Sequence, residues 1–396
     1  MLAQHVPKLR GLSDAYHPDL ARLVLPYAQR AGSDLQNPHG GAVRFEPDHY
    51  LEIWALTEPV IRADFLLLEE GQDTNHVLEK VFTAQRDHAQ LIMVGDSAQA
   101  IYGWRGAYDV MTDFDGVQLT LTQSFRFGRA VADEANRRLT ILAAPLRPKG
   151  APAPHSTVGP VDHPNAVLCR SNSGAICEVL RLLRNNKRVA MAGGEALVKL
   201  TVAAGQLKAS RRTSHPELCL STSWEELHEY ATSDPAGGDL LPLVDIVDEY
   251  GPDLVVAVVR NLHPEHAADV VVSTGHKAKG REWPTATIGT DFEPRPGSKN
   301  NSGDSNGQPD LDPAEARLAY VTVTRARERL DLGGLSWINH RFSAPGTTDG
   351  PVIPPDASPS PWDRLGPLSA DRRSDREGRR PGVVSPFRRR RRRSGP

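Results

Sequence analysis

A chain of 396 residues with 39% hydrophobic content can bury two cores of ordinary size, so two domains are expected. No apolar run approaches the roughly 18 residues that span a bilayer, and the opening MLAQHVPKLR lacks the apolar core of a signal peptide, which predicts a cytoplasmic protein with no membrane partner. The formal charge of −2 is segregated: residues 371–396 hold eleven Arg against three acids, net +8, leaving −10 on the remainder.

Taken in chain order, two short apolar runs at 65–68 and 91–94 each end in acidic residues and a loop. Buried parallel strands of an α/β sheet read this way, with chemistry at their carboxyl ends. Residues 145–164 carry six prolines, which neither donate to a ladder nor continue a helix, and predict a loop near a domain boundary. Further apolar runs at 166–169, 189–192, 270–272 and 286–288 predict a second parallel sheet. Apolar patches at 240–247 and 254–259 lie in a region, 196–265, whose role pattern alone does not assign. The polar, Gly/Pro-rich stretch 293–311 reads as a loop. A helix is expected from Asp312 as N-cap, with Pro313 at its first position and Glu315 completing a capping box, running to about Leu330. Beyond about residue 340 periodicity ends, which predicts disorder. Cys169, Cys177 and Cys219 are odd in number and lack C-x-x-C spacing, so they support neither a disulfide framework nor a zinc site; core packing is their expected role.

Two constellations carry chemistry. LLLEEGQD at 66–73 places Glu69, Glu70 and Asp73 just past a strand, where carboxylates reach a hydrated metal ion and a water; standing alone, the motif would read first as an acidic loop after a strand. IMVGDSAQAIYGWRGA at 92–107 crowds Asp96, Gln99, Tyr102, Trp104 and Arg105 into one loop. An uncharged Gln can sense a terminal phosphate, and Trp104 beside Arg105 offers a stacking face and a cation, as single-stranded nucleic acid requires. A lone loop Trp is more often a satellite of the core, but Gly103 and Gly106 suggest a turn that presents the ring.

With these residues in place, the sequence resembles the UvrD, Rep and PcrA type of superfamily 1 DNA helicase over roughly residues 40–335. The two stretches above look like motifs II and III of that family. LTQSFRFG at 121–128 resembles motif IV, VVVSTGHKAKGREW at 270–283 motif V, and EARLAYVTVTRARERL at 315–330 motif VI. VLCRSNSGAICEVL at 167–180 and FEPDHYLEIWAL at 45–56 resemble the branch that includes the F-box DNA helicases.

The resemblance implies an α/β fold of two RecA-like P-loop NTPase domains with parallel sheets: 1–120, the incomplete remainder of the first; 121–338, the second; and 339–396, a disordered Arg/Pro-rich tail. It implies ATP and Mg²⁺ as cofactors, and single-stranded DNA or DNA with a 3′ single-stranded tail as partner. The implied activity is ATP-dependent 3′ to 5′ translocation and unwinding in DNA repair or recombination. Glu70 would activate water, Gln99 would sense the γ-phosphate, and Arg126 and Arg325 would contact it from across a cleft. Glu69 would be the Mg²⁺ ligand, Gly280 and Glu282 would face the nucleotide, and Tyr102, Trp104, Arg105, Thr274 and His276 the DNA. On residues alone, Arg126 and Arg325 are equally surface helix arginines, Arg325 sharing its helix with Arg317, Arg327 and Arg329. His276 alone would read as a surface residue.

Two departures qualify the likeness. No G-x-x-x-x-G-K loop followed by Ser or Thr occurs, which predicts a missing N-terminal segment or an upstream chain that supplies the phosphate-gripping lysine. Glu69 also stands where the family has Asp, moving the carboxylate by one methylene relative to an ion of strict octahedral geometry. The alternative is an ATPase-inactive, helicase-like DNA-binding or regulatory module. Stacking does not distinguish sugars, so RNA is equally compatible with the residues. The Arg388 to Arg393 run reads as a solvated tail or as a nonspecific phosphate anchor.

Overall fold

The structure is a computed structural model that describes residues 17–37, 39, 41–43, 45, 47–103, 107, 109–153, 155–233, 240–294 and 311–342. The expectations for Trp104, Arg105, most of the 293–311 loop and nearly all of the C-terminal tail lie outside the described residues.

After helices α1 (His17–Leu35) and α2 (Pro47–Ala55), the chain enters β1 (Phe65–Leu68), crosses through α3 (His76–Thr83) and returns as β2 (Gln90–Met93). The two strands pair in parallel, Phe65 opposite Gln90 and Leu68 opposite Met93. Asn75 starts α3 by accepting the Leu78 amide at 2.9 Å. The pairing matches the sequence expectation, but the expected burial does not hold: Phe65 and Leu67, on one face, are 63% and 69% exposed. A two-stranded ladder has little area to share, and among the described residues nothing covers that face.

The larger part begins with α4 (Arg129–Ile141) and builds a six-stranded sheet from β3 (Thr157–Val158), β4 (Ala166–Cys169), β5 (Val189–Met191), β6 (Val270–Thr274), β7 (Trp283–Ile288) and β8 (Ala326–Asp331). The order is β3-β8-β7-β4-β6-β5 and every pairing is parallel. β4 and β6 are buried along their whole length, as central strands covered on both faces must be. Helix α5 (Asn172–Arg184) links β4 to β5, and α10 (Gly275–Ala278) follows β6. Between β5 and β6 the unassigned region forms four helices, α6 (Gly194–Lys208), α7 (Trp224–Ser233), α8 (Leu241–Tyr250) and α9 (Pro252–Arg260). They close over their own core of Leu200, Leu207, Leu227, Val244, Val247 and Val255. No helix among the described residues is long and apolar enough to cross a membrane.

Three local expectations are corrected. Helix α11 (Pro313–Val323) stops well short of Leu330, and the next residues form β8. The β-branched run Val321 to Thr324 weakens the helix, its terminal hydroxyls turn back onto backbone carbonyls, and β7 offers the following residues a ladder. Arg325 therefore lies between helix and strand, while Arg327 and Arg329 are on the strand. Asp312 and Pro313 start α11 as expected, the Asp312 carboxylate accepting the Ala314 amide at 2.7 Å, but Glu315 makes no capping box. It forms instead a two-pronged ion pair with Arg170, at 2.6 and 2.8 Å. Cys169 packs in the core, whereas Cys219 is exposed.

Ala98 and Ile101, from the loop after β2, belong to the same hydrophobic core as α4, α11 and the larger sheet. That packing fixes the carboxyl end of the small sheet against the large one and creates the site.

Candidate active site

Glu70, two residues past β1, lies in the left-handed region, at φ 55 and ψ 42, a conformation unfavourable for a residue with a side chain. The kink turns the chain into a single 3-10 turn, Gly71–Asp73, and aims Glu70 and Asp73 toward the second sheet. Gln72 beneath them is buried; its side chain donates to Glu70 and accepts the Asp96 amide at 3.0 Å, tying the loop after β1 to the loop after β2. The loops come so close that a Cβ on Gly95 would press on the Gln72 oxygen, the Met111 sulfur and the Gly71 amide, so a larger residue there would push the two loops' side chains apart.

Asp96 organises the second loop. Its Oδ1 accepts the Ala98 amide at 3.0 Å, and its Oδ2 accepts the Gln99 side-chain amide at 2.9 Å and the Tyr320 hydroxyl of α11 at 2.8 Å. Tyr320 is buried, and burial beside Asp96 pushes its hydroxyl far above the ordinary range, so it is a neutral donor.

Lys279 reaches in from the turn after α10. Its ammonium bonds Asp73, lies 3.3 Å from Glu70, donates to the Gln99 carbonyl at 3.0 Å and stands over the Tyr102 ring. The lysine side chain is only 9% exposed. Burial raises the Asp73 carboxyl above its usual value, and Lys279 opposes that rise; one Asp73 oxygen remains buried without a hydrogen-bond partner. Gly280, at φ +78, makes the turn that returns the chain to β7.

The two expected phosphate arginines differ in setting. Arg126, in the loop before α4, donates to Glu282 at 3.0 Å and is partly exposed. Arg325 is 1% exposed and spends its donors on the Val321 and Arg281 carbonyls and the Thr324 hydroxyl. Burial, reinforced by repulsion from Arg126, lowers its pKa to about 10. Glu70 and Glu282 act on it in the opposite direction, which places it within electrostatic reach of the carboxylate cluster.

The residues expected to face DNA are partly engaged elsewhere. Thr274 is buried and its hydroxyl caps α10 by accepting the Lys277 amide. Tyr102 donates to the His276 carbonyl at 2.9 Å, so motif III and motif V residues meet through those two rings. Glu69 is exposed and makes no ion pair among the described residues. Gln72, Lys279 and Tyr320 did not emerge from the sequence as site residues. The only advance signal was a loop of three acids with no nearby base, which demands a cation from elsewhere.

Residues 54–115 match the family described as UvrD/REP helicase N-terminal domain. The chain is 28% identical to F-box DNA helicase protein 1 of Schizosaccharomyces pombe over 78% of its own length and 38% of that protein's. It is 28% identical to F-box DNA helicase 1 of Gallus gallus over 72% of its own length and 30% of the relative's. A probable DNA helicase of Mycoplasma pneumoniae is 35% identical over 33% of this chain and 26% of that protein. The chain thus spans about a third of the length of the F-box relatives it matches. Motifs II and III fall within the family match, and the similarity to the F-box relatives runs over most of the chain, so the chain is similar to the UvrD-like superfamily 1 helicases.

Proposed function

We propose that this chain carries the nucleotide-hydrolysing and strand-gripping face of an ATP-dependent DNA helicase that moves 3′ to 5′ on single-stranded DNA, in repair or recombination. One observation carries the reading: Lys279, from the turn after α10, bonds Asp73 and the Gln99 carbonyl, and Tyr320 of α11 bonds Asp96, so the carboxylates after β1 and the Gln99 loop after β2 are held against the second part of the chain. In this reading residues 1–120 and 121–338 are the two RecA-like lobes.

Within the cleft Glu70 takes the proton of the attacking water, and Gln99, held by Asp96, orients that water against the terminal phosphate. Arg126 exchanges Glu282 for the phosphate as the lobes close, and Arg325 adds its charge from behind; Gly280 and Glu282 line the nucleotide side. A magnesium ion fits the donor set. Glu70 and Asp73 are hard oxygen donors already gathered around a cation, with Glu69 adjacent and one Asp73 oxygen unspent. When bound, the ion would offset charge on the phosphates. Among the described residues no three metal-ligating side chains form a ready cage, in keeping with an ion completed by phosphate and water. Tyr102, Trp104, Arg105, Thr274 and His276 form the DNA side.

The phosphate-gripping lysine loop comes, in this proposal, from an upstream polypeptide, and the uncovered face of Phe65 and Leu67 supports such an addition. A second reading, an ATPase-inactive DNA-binding or regulatory module, is favoured by Glu69 in the metal position and by the absent loop. Two measurements test these readings. The isolated chain should bind an oligothymidylate and show no DNA-stimulated ATP hydrolysis, because a nucleotide whose phosphates are not gripped is not positioned. Trp104→Ala should weaken that binding roughly 5-fold to 100-fold without lowering the melting temperature. A wild-type chain that binds no single strand sinks both readings, and robust turnover abolished by Glu70→Gln sinks the need for the upstream loop.

A further inference from the structure

The Tyr320–Asp96 bond joins residues 224 positions apart and crosses from the second sheet's helix α11 to the first sheet's sensor loop. Asp96 Oδ2 is shared by two donors, the Tyr320 hydroxyl at 2.8 Å and the Gln99 side-chain amide at 2.9 Å. Geometry makes the sharing consequential. With one Gln99 N–H committed to Asp96, the Gln99 carbonyl oxygen is turned to a defined side; if Asp96 rotates, that orientation goes with it. Asp96 is held within its own loop by the Ala98 amide on Oδ1 and from the other lobe by the Tyr320 phenol on Oδ2, five residues before Arg325 on the chain that leads out of α11. Tyr320 is buried and keeps its proton, so toward the Asp96 carboxylate its hydroxyl is the donor.

We propose that Tyr320 is a positioning residue: through Asp96 it sets the Gln99 carboxamide, so that the phosphate sensor of the first lobe is aligned only while α11 of the second lobe is docked. The assignment rests on the motor reading of the cleft. Tyr320 touches neither nucleotide nor metal in this arrangement and acts through Asp96 alone. The ring's packing against the core is a separate matter, one that phenylalanine reproduces.

The test is amide hydrogen exchange on the full chain, comparing wild type, Tyr320→Phe, Asp96→Asn and the double variant. The Ala98 amide, bonded to Asp96 Oδ1, reports directly on the loop. Tyr320→Phe should speed exchange across residues 96–102 about tenfold while β6 and β7 keep their wild-type rates, because one bond to a carboxylate is lost and no packing is. Asp96→Asn should release the same segment, and adding Tyr320→Phe to it should change nothing further. Unchanged exchange in Tyr320→Phe, or full additivity in the double variant, would overturn the proposal. Oligothymidylate binding by the wild-type chain judges the motor reading separately, so the two can fail independently.

Discussion

With its side chain nearly out of water, Lys279 trades hydration for Asp73, Glu70 and the Gln99 carbonyl. The exchange is favourable only while those oxygens stay close, so removing the ammonium leaves Asp73 buried without its counter-ion. Lys279→Met should cost about 2 to 3 kcal/mol, less than a fully buried pair because Glu70 remains half in water. In metal-free buffer that is a drop of several degrees in melting temperature. Millimolar Mg²⁺ should recover part of the loss in Lys279→Met and leave the wild type unmoved, since in the wild type the lysine competes for the same oxygens. Equal metal responses in the two proteins would show that the carboxylates do not hold a divalent ion.

At the scale of elements, the clearest dependence is that of the last described segment, Gly333–Phe342, on helix α4. Arg138 is fully buried; it pairs with Glu134 one turn earlier and donates to the Leu335 carbonyl and to Asn339. Arg138→Leu keeps the volume but strips Glu134 of its buried charged partner, leaving the part-exposed Arg137 and the Asn339 side-chain amide. A loss of about 3 kcal/mol is expected, with Arg138→Lys intermediate because a lysine cannot serve all three acceptors. Melting of the three proteins checks the order, and a neutral Arg138→Leu would mean that the network is energetically idle.

Which elements could be read in advance follows from how locally each is determined. β1, β4 and β6 announce themselves as apolar runs because their residues alone specify burial or extension. β8 does not: Ala326 and Leu330 are its buried positions, and a spacing of four fits a helix face as well as a strand face. Only pairing with β7 decides between them. The carboxylates, Gln99 and the arginines were singled out by their resemblance to family motifs, whereas Lys279 and Tyr320 meet their partners 206 and 224 residues away, a distance no local pattern encodes.

For the whole molecule the charge distribution matters most. Residues 371–396 bring eight net positive charges to a chain otherwise at −10. Deleting them should weaken oligonucleotide binding at low salt and flatten the log-log salt dependence, by about 0.7 for each single-strand phosphate that the segment neutralises. Identical slopes for the full and shortened chains would make the segment a bystander. The strand order also has a consequence for how the chain is made. β4, at the centre of the large sheet, pairs with β6 and β7, which follow it by more than a hundred residues. The four helices between them close over a core of their own and can form while synthesis continues. At ribosomal rates of roughly 5 to 20 residues per second, Ala166–Cys169 waits on the order of 6 to 24 seconds for its second neighbour. For that interval a strand that is buried along its whole length in the finished sheet is a bare edge in the cell, and its protection falls to chaperones or to the speed of translation itself.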